Sequence, residues 1–174
     1  KAELPIFRVR SIREEIEEGG ARFASRVIGK GEVKASAAQA EGFALEPGAR
    51  LFRSSLVHLA DGVPLQLEER LVNPAVAPDY LGLDFTAVTP NEYLRRVAPL
   101  AEVEHKIEAE MASPRQARLL EVETGAPILI LNRRTWSGGR VVSVVRLVHP
   151  ATRYRFSGRF RVDAGAPADQ GDRL

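Results

Sequence analysis

The feature that most constrains the fold is an internal repeat. Ser36-Ala-Ala-Gln-Ala40 leads through Leu45-Glu-Pro-Gly-Ala49 to a turn at Asp61-Gly62. Ser113-Pro-Arg-Gln-Ala117 leads through Val122-Glu-Thr-Gly-Ala126 to a turn at Gly138-Gly139. Ser, Gln, Ala, Glu, Gly, Ala and the turn Gly all recur at one constant offset, that from Ser36 to Ser113. Chance supplies one or two such matches, not a whole set in register. In S-x-x-Q the Ser side chain caps the helix start and the Gln side chain reaches back to it. Each copy therefore predicts a capped helix, a turn and a β-hairpin.

The flanks add further elements. Lys1 to Arg10 reads as an extended lead in which Pro5 resists helix. A short helix follows from Ser11 to Glu18, with Ser11 and Glu14 as a capping box and Gly19-Gly20 as the stop. Phe23 to Val33 predicts a strand weakened by Gly29 and Gly31. Thr89-Pro-Asn-Glu92 marks another helix start. From Ala101 to Met111 apolar odd positions alternate with Glu102, Glu104, Lys106, Glu108 and Glu110, the period of a strand. Thr152 to Val162 predicts a closing strand with arginines on its outer face, and 163–174 a frayed tail. About seven strands and four short helices imply an α+β domain built on one antiparallel sheet with helices packed on it.

Register in the first hairpin decides which side chains could form a site. A three-residue loop, Ala60-Asp61-Gly62, pairs Leu59 with Val63 and gathers Val57, Leu59, Val63, Leu65 and Leu67 on one face. Ser54, Leu56, His58, Gln66, Glu68 and Arg70 share the other. That polar set is either a concave binding surface or a solvated sheet face, and the pattern alone favours the solvated face. His149 lies on the second hairpin, so two of the three histidines fall on related arms. No third ligand stands at chelating spacing, and no metal is expected. His105 falls on the apolar side of its strand, as a core or interface residue.

Several function classes are disfavoured. The 174 residues hold no cysteine, which excludes disulfides, Cys-zinc sites and thiol catalysis and points to a reducing cytoplasm. A formal charge of +2 with no basic block gives no ground for direct nucleic-acid binding. No apolar run reaches bilayer length and no signal peptide is evident. Nothing resembles a nucleophile elbow, a phosphate-binding Gly loop or a dinucleotide fingerprint, so no catalytic residue and no cofactor is assigned. The chain does not open with Met and is expected to be a piece of a longer protein.

The stretch Leu59-Ala-Asp-Gly-Val-Pro64, followed by Leu67-Glu68 and Asn73-Pro74, resembles the ligand-sensing (UTRA) domain of GntR-type bacterial regulators. Gly139-Arg-Val-Val142 and Arg153-Tyr-Arg-Phe156 are similar to that domain's closing strands, and the likeness runs from about Ile6 to Phe160. Val57 to Pro64, Val72-Asn-Pro-Ala75, Thr89 to Leu94, Val97 to Leu100, Val103-Glu-His105 and Arg133-Arg-Thr-Trp136 resemble the branch that represses histidine utilisation.

The resemblance implies a chorismate-lyase-like fold, a preceding winged helix-turn-helix joined through a linker at 1–10, a sensing domain at 11–162, and homodimerisation. It implies urocanate as effector, operator DNA bound only through the preceding domain, and no catalysis. It also implies a pocket: backbone amides at Ser11, Ile12 and Arg13 for an anionic group, Leu56, His58 and Glu68 from the first hairpin, Asn91 and Tyr93 from the helix after Thr89, and Ser143 and His149 from the second hairpin. Members that sense phosphosugars carry Arg where His58 stands and Tyr where His149 stands, so a flat imidazole carboxylate fits better than a phosphate. The alternatives are an enzyme on the same fold, a sensor of another carboxylate or phosphosugar, and a dimerisation module without ligand.

Overall fold

The computed structural model describes residues 2–5 and 9–159. The last part of the expected 152–162 strand and the expected tail at 163–174 lie outside the described residues.

Both repeat helices form as their caps require. α2 (Ala37–Phe43) and α4 (Pro114–Leu120) carry complete capping boxes, Ser36 with Gln39 and Ser113 with Gln116. The likeness extends to the backbone. Each helix ends on a left-handed residue, Ala44 (φ 53°) or Glu121 (φ 53°), and each connection holds a glycine at matching positive φ, Gly48 (83°) or Gly125 (84°). Paired hydrogen bonds close each connection, Ala35 N–H to Ala49 O and Ala112 N–H to Ala126 O, both 2.8 Å.

Each helix leads into a hairpin, β3 (Arg50–Ala60) with β4 (Val63–Val72), and β6 (Pro127–Ser137) with β7 (Arg140–Pro150). With β2 (Phe23–Lys34) and β5 (Glu102–Met111) they form one six-stranded antiparallel sheet in the order β2-β3-β4-β7-β6-β5. The two copies therefore meet at β4 and β7, and the sheet has a pseudo-twofold layout. A second element was not foreseen: β1 (Ala2–Pro5) and β8 (Tyr154–Ser157) make a two-stranded parallel ribbon.

The turns correct the expected loop. Ala60 pairs with Val63 across a two-residue turn in which Asp61 (49°) and Gly62 (78°) both have positive φ. A two-residue loop by itself would exchange the faces. A bulge after His58 restores them, because Leu59 pairs with Pro64 while His58 pairs with Gln66. The expected facial sets survive except for Val63, which pairs with Ala60 and so leaves the Leu59 face, and Leu65, which the bulge leaves unpaired and which joins the cluster of Ile12 and Ile16. The second hairpin repeats the device between Thr135 and Trp136.

Both sheet faces are covered. On the outer face α4 buries Ala117 and Leu120 against Val57, Leu67, Ile130 and Val148, and α2 buries Ala40 and Phe43 against Leu51 and Val141. The inner face is covered by α1 (Ile12–Glu18), the short 3-10 turn at Tyr80–Gly82, α3 (Pro90–Val97) and Tyr154 of β8.

Smaller departures follow from tertiary partners. Ser11 caps α1 by accepting from Arg13 N–H, while Glu14 is exposed and completes no box. Arg153, expected on an outer face, instead donates to the carbonyls of Pro64, Leu120 and Glu121, tying the α4 C-terminus to the first hairpin. The glutamates of β5 are answered across the sheet: Glu104 by Arg134, Glu108 and Glu110 by Arg146.

Candidate functional site

The inner face of the sheet is where sequence pattern and structure part. Ser54, His58, Gln66, Glu68 and Arg70 are all buried there, and so are Arg133, Thr135, Ser143 and His149 from β6 and β7. The solvated face favoured by pattern alone is overturned: α1, α3 and the segment around Tyr80 lie across it. Burying this much polar surface is costly unless each group is satisfied.

Most of it is satisfied in two chains. His58 meets Ser25 Oγ through Nδ1 at 2.6 Å and donates from Nε2 to Glu68 Oε1 at 2.9 Å. The other carboxylate oxygen of Glu68 accepts from Arg70 Nε at 2.9 Å, and Arg70 donates onward to Ser143 Oγ at 2.9 Å. Burial pushes the Glu68 pKa up, but Arg70 and the His58 contact outweigh it and hold the carboxyl at about 2. Glu68 is therefore a fixed anion shared by a histidine and an arginine.

The second chain is neutral. His149 Nδ1 faces Leu129 O at 3.1 Å, an acceptor only, so Nδ1 carries the proton and Nε2 accepts from the Gln66 amide at 2.9 Å. Burial first, then the charge of Arg133, lowers the His149 pKa to about 3. The ring stacks on Tyr154 with centroids 3.9 Å apart.

Between these chains and α1 lies a cavity lined by Arg10, Glu15, Gln66, Glu68, Asn91 and Arg133, among others. Its free volume is about 20 Å³, room for one water and no more. A planar organic acid enters only if lining side chains move, and Arg10, partly exposed and paired with Glu18 at the surface, is placed to do so. Two buried polar atoms at the site have no partner, Glu15 Oε1 and Asn91 Nδ2. Glu15 accepts from Tyr154 O–H at 3.0 Å through its other oxygen, and burial raises its pKa to about 7.

Of the expected site residues, Ile12, Glu68 and Asn91 line this cavity, and His58, Ser143 and His149 stand directly behind it in the two chains. Leu56 is buried opposite Glu68 in the Tyr80 cluster, and Tyr93 is half-buried against the same cluster, its ring 6.4 Å from that of Tyr80. The Ser11–Arg13 corner already holds a carboxylate: Ser11 Oγ donates to Glu92 at 3.2 Å and Arg13 Nε at 2.9 Å, while the Arg13 guanidinium lies over Phe23. Glu15 and Arg133 also line the cavity and lie outside the expected set. Glu15 gave no signal, since it sits among four glutamates of one short helix. Arg133 was legible, because the repeat offset makes it the counterpart of Leu56. His105, expected outside the pocket, accepts from Arg133 Nε at 2.8 Å and so touches the site from behind.

Residues 18–155 match the family model described as the UTRA domain. The chain is 46% identical over 160 residues to the histidine utilization repressor of Pseudomonas putida, covering 92% of this chain and 64% of that protein. It thus spans under two thirds of the relative's length. The crystal structure of the C-terminal domain of the histidine utilization repressor from Pseudomonas syringae pv. tomato superposes with a TM-score of 0.77 at 43% identity, covering 81% of this chain and all of that one. The effector domain of PhnF from Mycobacterium smegmatis superposes with a TM-score of 0.83 at 19% identity, covering 92% of this chain and 99% of that one, a likeness of fold.

Proposed function

The chain belongs to the UTRA domain family, and on that footing we propose that it is the effector-binding and dimerising part of a GntR-type repressor of histidine utilisation, with urocanate as effector. The role is regulatory: the relatives it matches are named as repressors. The observation that carries the reading is the buried polar face itself. A domain selected for stability alone gains little from burying Glu68, Arg70, His58, Gln66, Arg133 and His149 beneath its helices. A pocket for a polar, flat ligand needs such groups. Ligand binding there shifts the packing of α1, which joins the sheet to residues 1–10 and, through them, to a DNA-binding domain preceding this chain.

Homodimerisation is supported by β5. It is an edge strand, paired on one side by β6 within this chain, and it leaves Ile107 and Met111 exposed. No helix among the described residues is long and apolar enough to cross a membrane, and the bacterial cytoplasm is the proposed location.

Thermal unfolding with urocanate, histidine, imidazole propionate and glucosamine 6-phosphate tests the effector. At a hundredfold excess over Kd the effector adds roughly 2.7 kcal/mol, a clear rise in Tm. Stabilisation by the phosphosugar with none by urocanate would sink the reading.

A further inference from the structure

Arg133 has an unusual electrostatic position for a side chain 3% exposed. Its Nε donates to His105 Nε2, and no carboxylate among the described residues forms an ion pair with Arg133. Every other cation at the cavity is matched, Arg70 by Glu68 and Arg10 by Glu18. Burial and the nearby Arg70 charge outweigh the more distant Glu15 and Glu68 and pull the Arg133 pKa down to about 10, so it stays charged at neutral pH. A buried guanidinium without a directly paired carboxylate is costly, and a fold that keeps one has a use for it.

Two further unpaired atoms share the cavity. Asn91 Nδ2 is a donor without an acceptor, and Glu15 Oε1 an acceptor without a donor. A simple inorganic anion answers the first two groups and leaves Glu15 Oε1 empty. A cation answers Glu15 and worsens Arg133. A molecule with a carboxylate at one end and a ring N–H at the other answers all three.

We propose that Arg133, Asn91 and Glu15 are the recognition groups of this cavity, Arg133 and Asn91 Nδ2 taking the ligand's carboxylate and Glu15 Oε1 accepting an N–H of its ring. The inference rests on the proposed sensing role and deepens it by assigning which protein groups read which end of the effector. It places the carboxylate on a side chain of β6 and not at the start of α1, where the Ser11 and Arg13 side chains hold Glu92 and the Arg13 N–H donates to Ser11 Oγ. Arg133 and Glu15 thereby join the specificity-determining residues.

Calorimetry on this chain, with urocanate and with 3-(2-furyl)acrylate, tests the assignment. The furan keeps the carboxylate and the flat outline but has oxygen where urocanate has N–H. The parent should prefer urocanate at least about tenfold, the scale of one hydrogen bond to a charged group. Arg133→Met should weaken both acids roughly ten- to hundredfold while leaving Tm unchanged or higher, because it removes an unpaired buried charge. A merely structural arginine would lower Tm and leave affinity intact. Glu15→Gln, which keeps an acceptor for Tyr154, should bring the preference for urocanate over the furan close to one. Parent-like urocanate affinity in Arg133→Met, or an undiminished preference in Glu15→Gln, overturns the inference while the sensing role stands. Failure of the parent to bind either acid overturns both.

Discussion

The two copies of the repeat share a backbone and differ in what they bury. Their caps, left-handed helix ends, turn geometry and bulges match position for position. On the outer face the side chains match too: Phe43 of α2 and Leu120 of α4 occupy equivalent buried sites. On the inner face equivalence breaks down. Leu56 stands where the second copy has Arg133, Glu68 and Arg70 where it has Val145 and Leu147, and Val72 where it has His149. Each copy thus contributes polar groups at positions where the other is apolar. The repeat builds a symmetric frame, and the site is made by the departures from symmetry.

Replacing an inner residue by its own counterpart should therefore be the most damaging graft. Glu68→Val copies the second repeat into the first and leaves Arg70 and His58 buried without their acceptor. Denaturant unfolding should show a loss of about 3–5 kcal/mol; a loss below 1 kcal/mol would mean the inner face relaxes as freely as a surface.

The outer face should respond alike in both copies. Phe43→Ala and Leu120→Ala each open a cavity in a closed apolar cluster, and each should cost about 2–5 kcal/mol. Should one copy tolerate the change while the other unfolds, the two helices are not energetic equivalents.

A smaller effect separates two ionisable groups packed against the second copy. Glu15, with its folded pKa raised to about 7 from 4.5, contributes stability present below pH 4.5 and lost as pH rises through 7. His149, lowered to about 3 from 6.5, contributes stability present above pH 6.5 and lost as pH falls toward 3. Between pH 4.5 and 6.5 the two oppose each other. In Glu15→Gln the His149 loss is unopposed, so stability should fall with acid by up to about 1.4 kcal/mol per pH unit relative to the parent. Parallel pH profiles for the two proteins would show that Glu15 does not titrate there.

The smallest effect concerns the caps. Ser36→Ala and Ser113→Ala each remove one capping hydrogen bond from the same box, and each should cost about 1 kcal/mol. A difference between them well beyond that would locate asymmetry in the frame itself.

Local rules made much of this legible in the chain. Caps, turn residues and alternation are read by neighbours within a few positions, so the repeat, both hairpins, β5 and α3 follow from sequence, and long shared strings such as Val57 to Pro64 placed the family. The candidate site was half legible. His58, Glu68 and His149 share a face by period alone, but the same period fits a solvated sheet, and only helices brought from 12–18 and 90–97 turn that face into an interior. The two-residue turn with its compensating bulge was beyond a parity argument, because one error in loop length and one in register cancel. Glu15 and Arg133 at the cavity, like the Glu92 contact of Ser11, take their meaning from partners far along the chain. Ser11 finds Glu92, Glu15 finds Tyr154, and Arg133 finds His105 and, among the described residues, no ion-paired carboxylate. Short-range hydrogen bonding and hydrophobic period determine elements and faces by themselves. Which buried charge is matched and which is left waiting depends on distances between segments that the sequence does not order, and tertiary packing alone decides it.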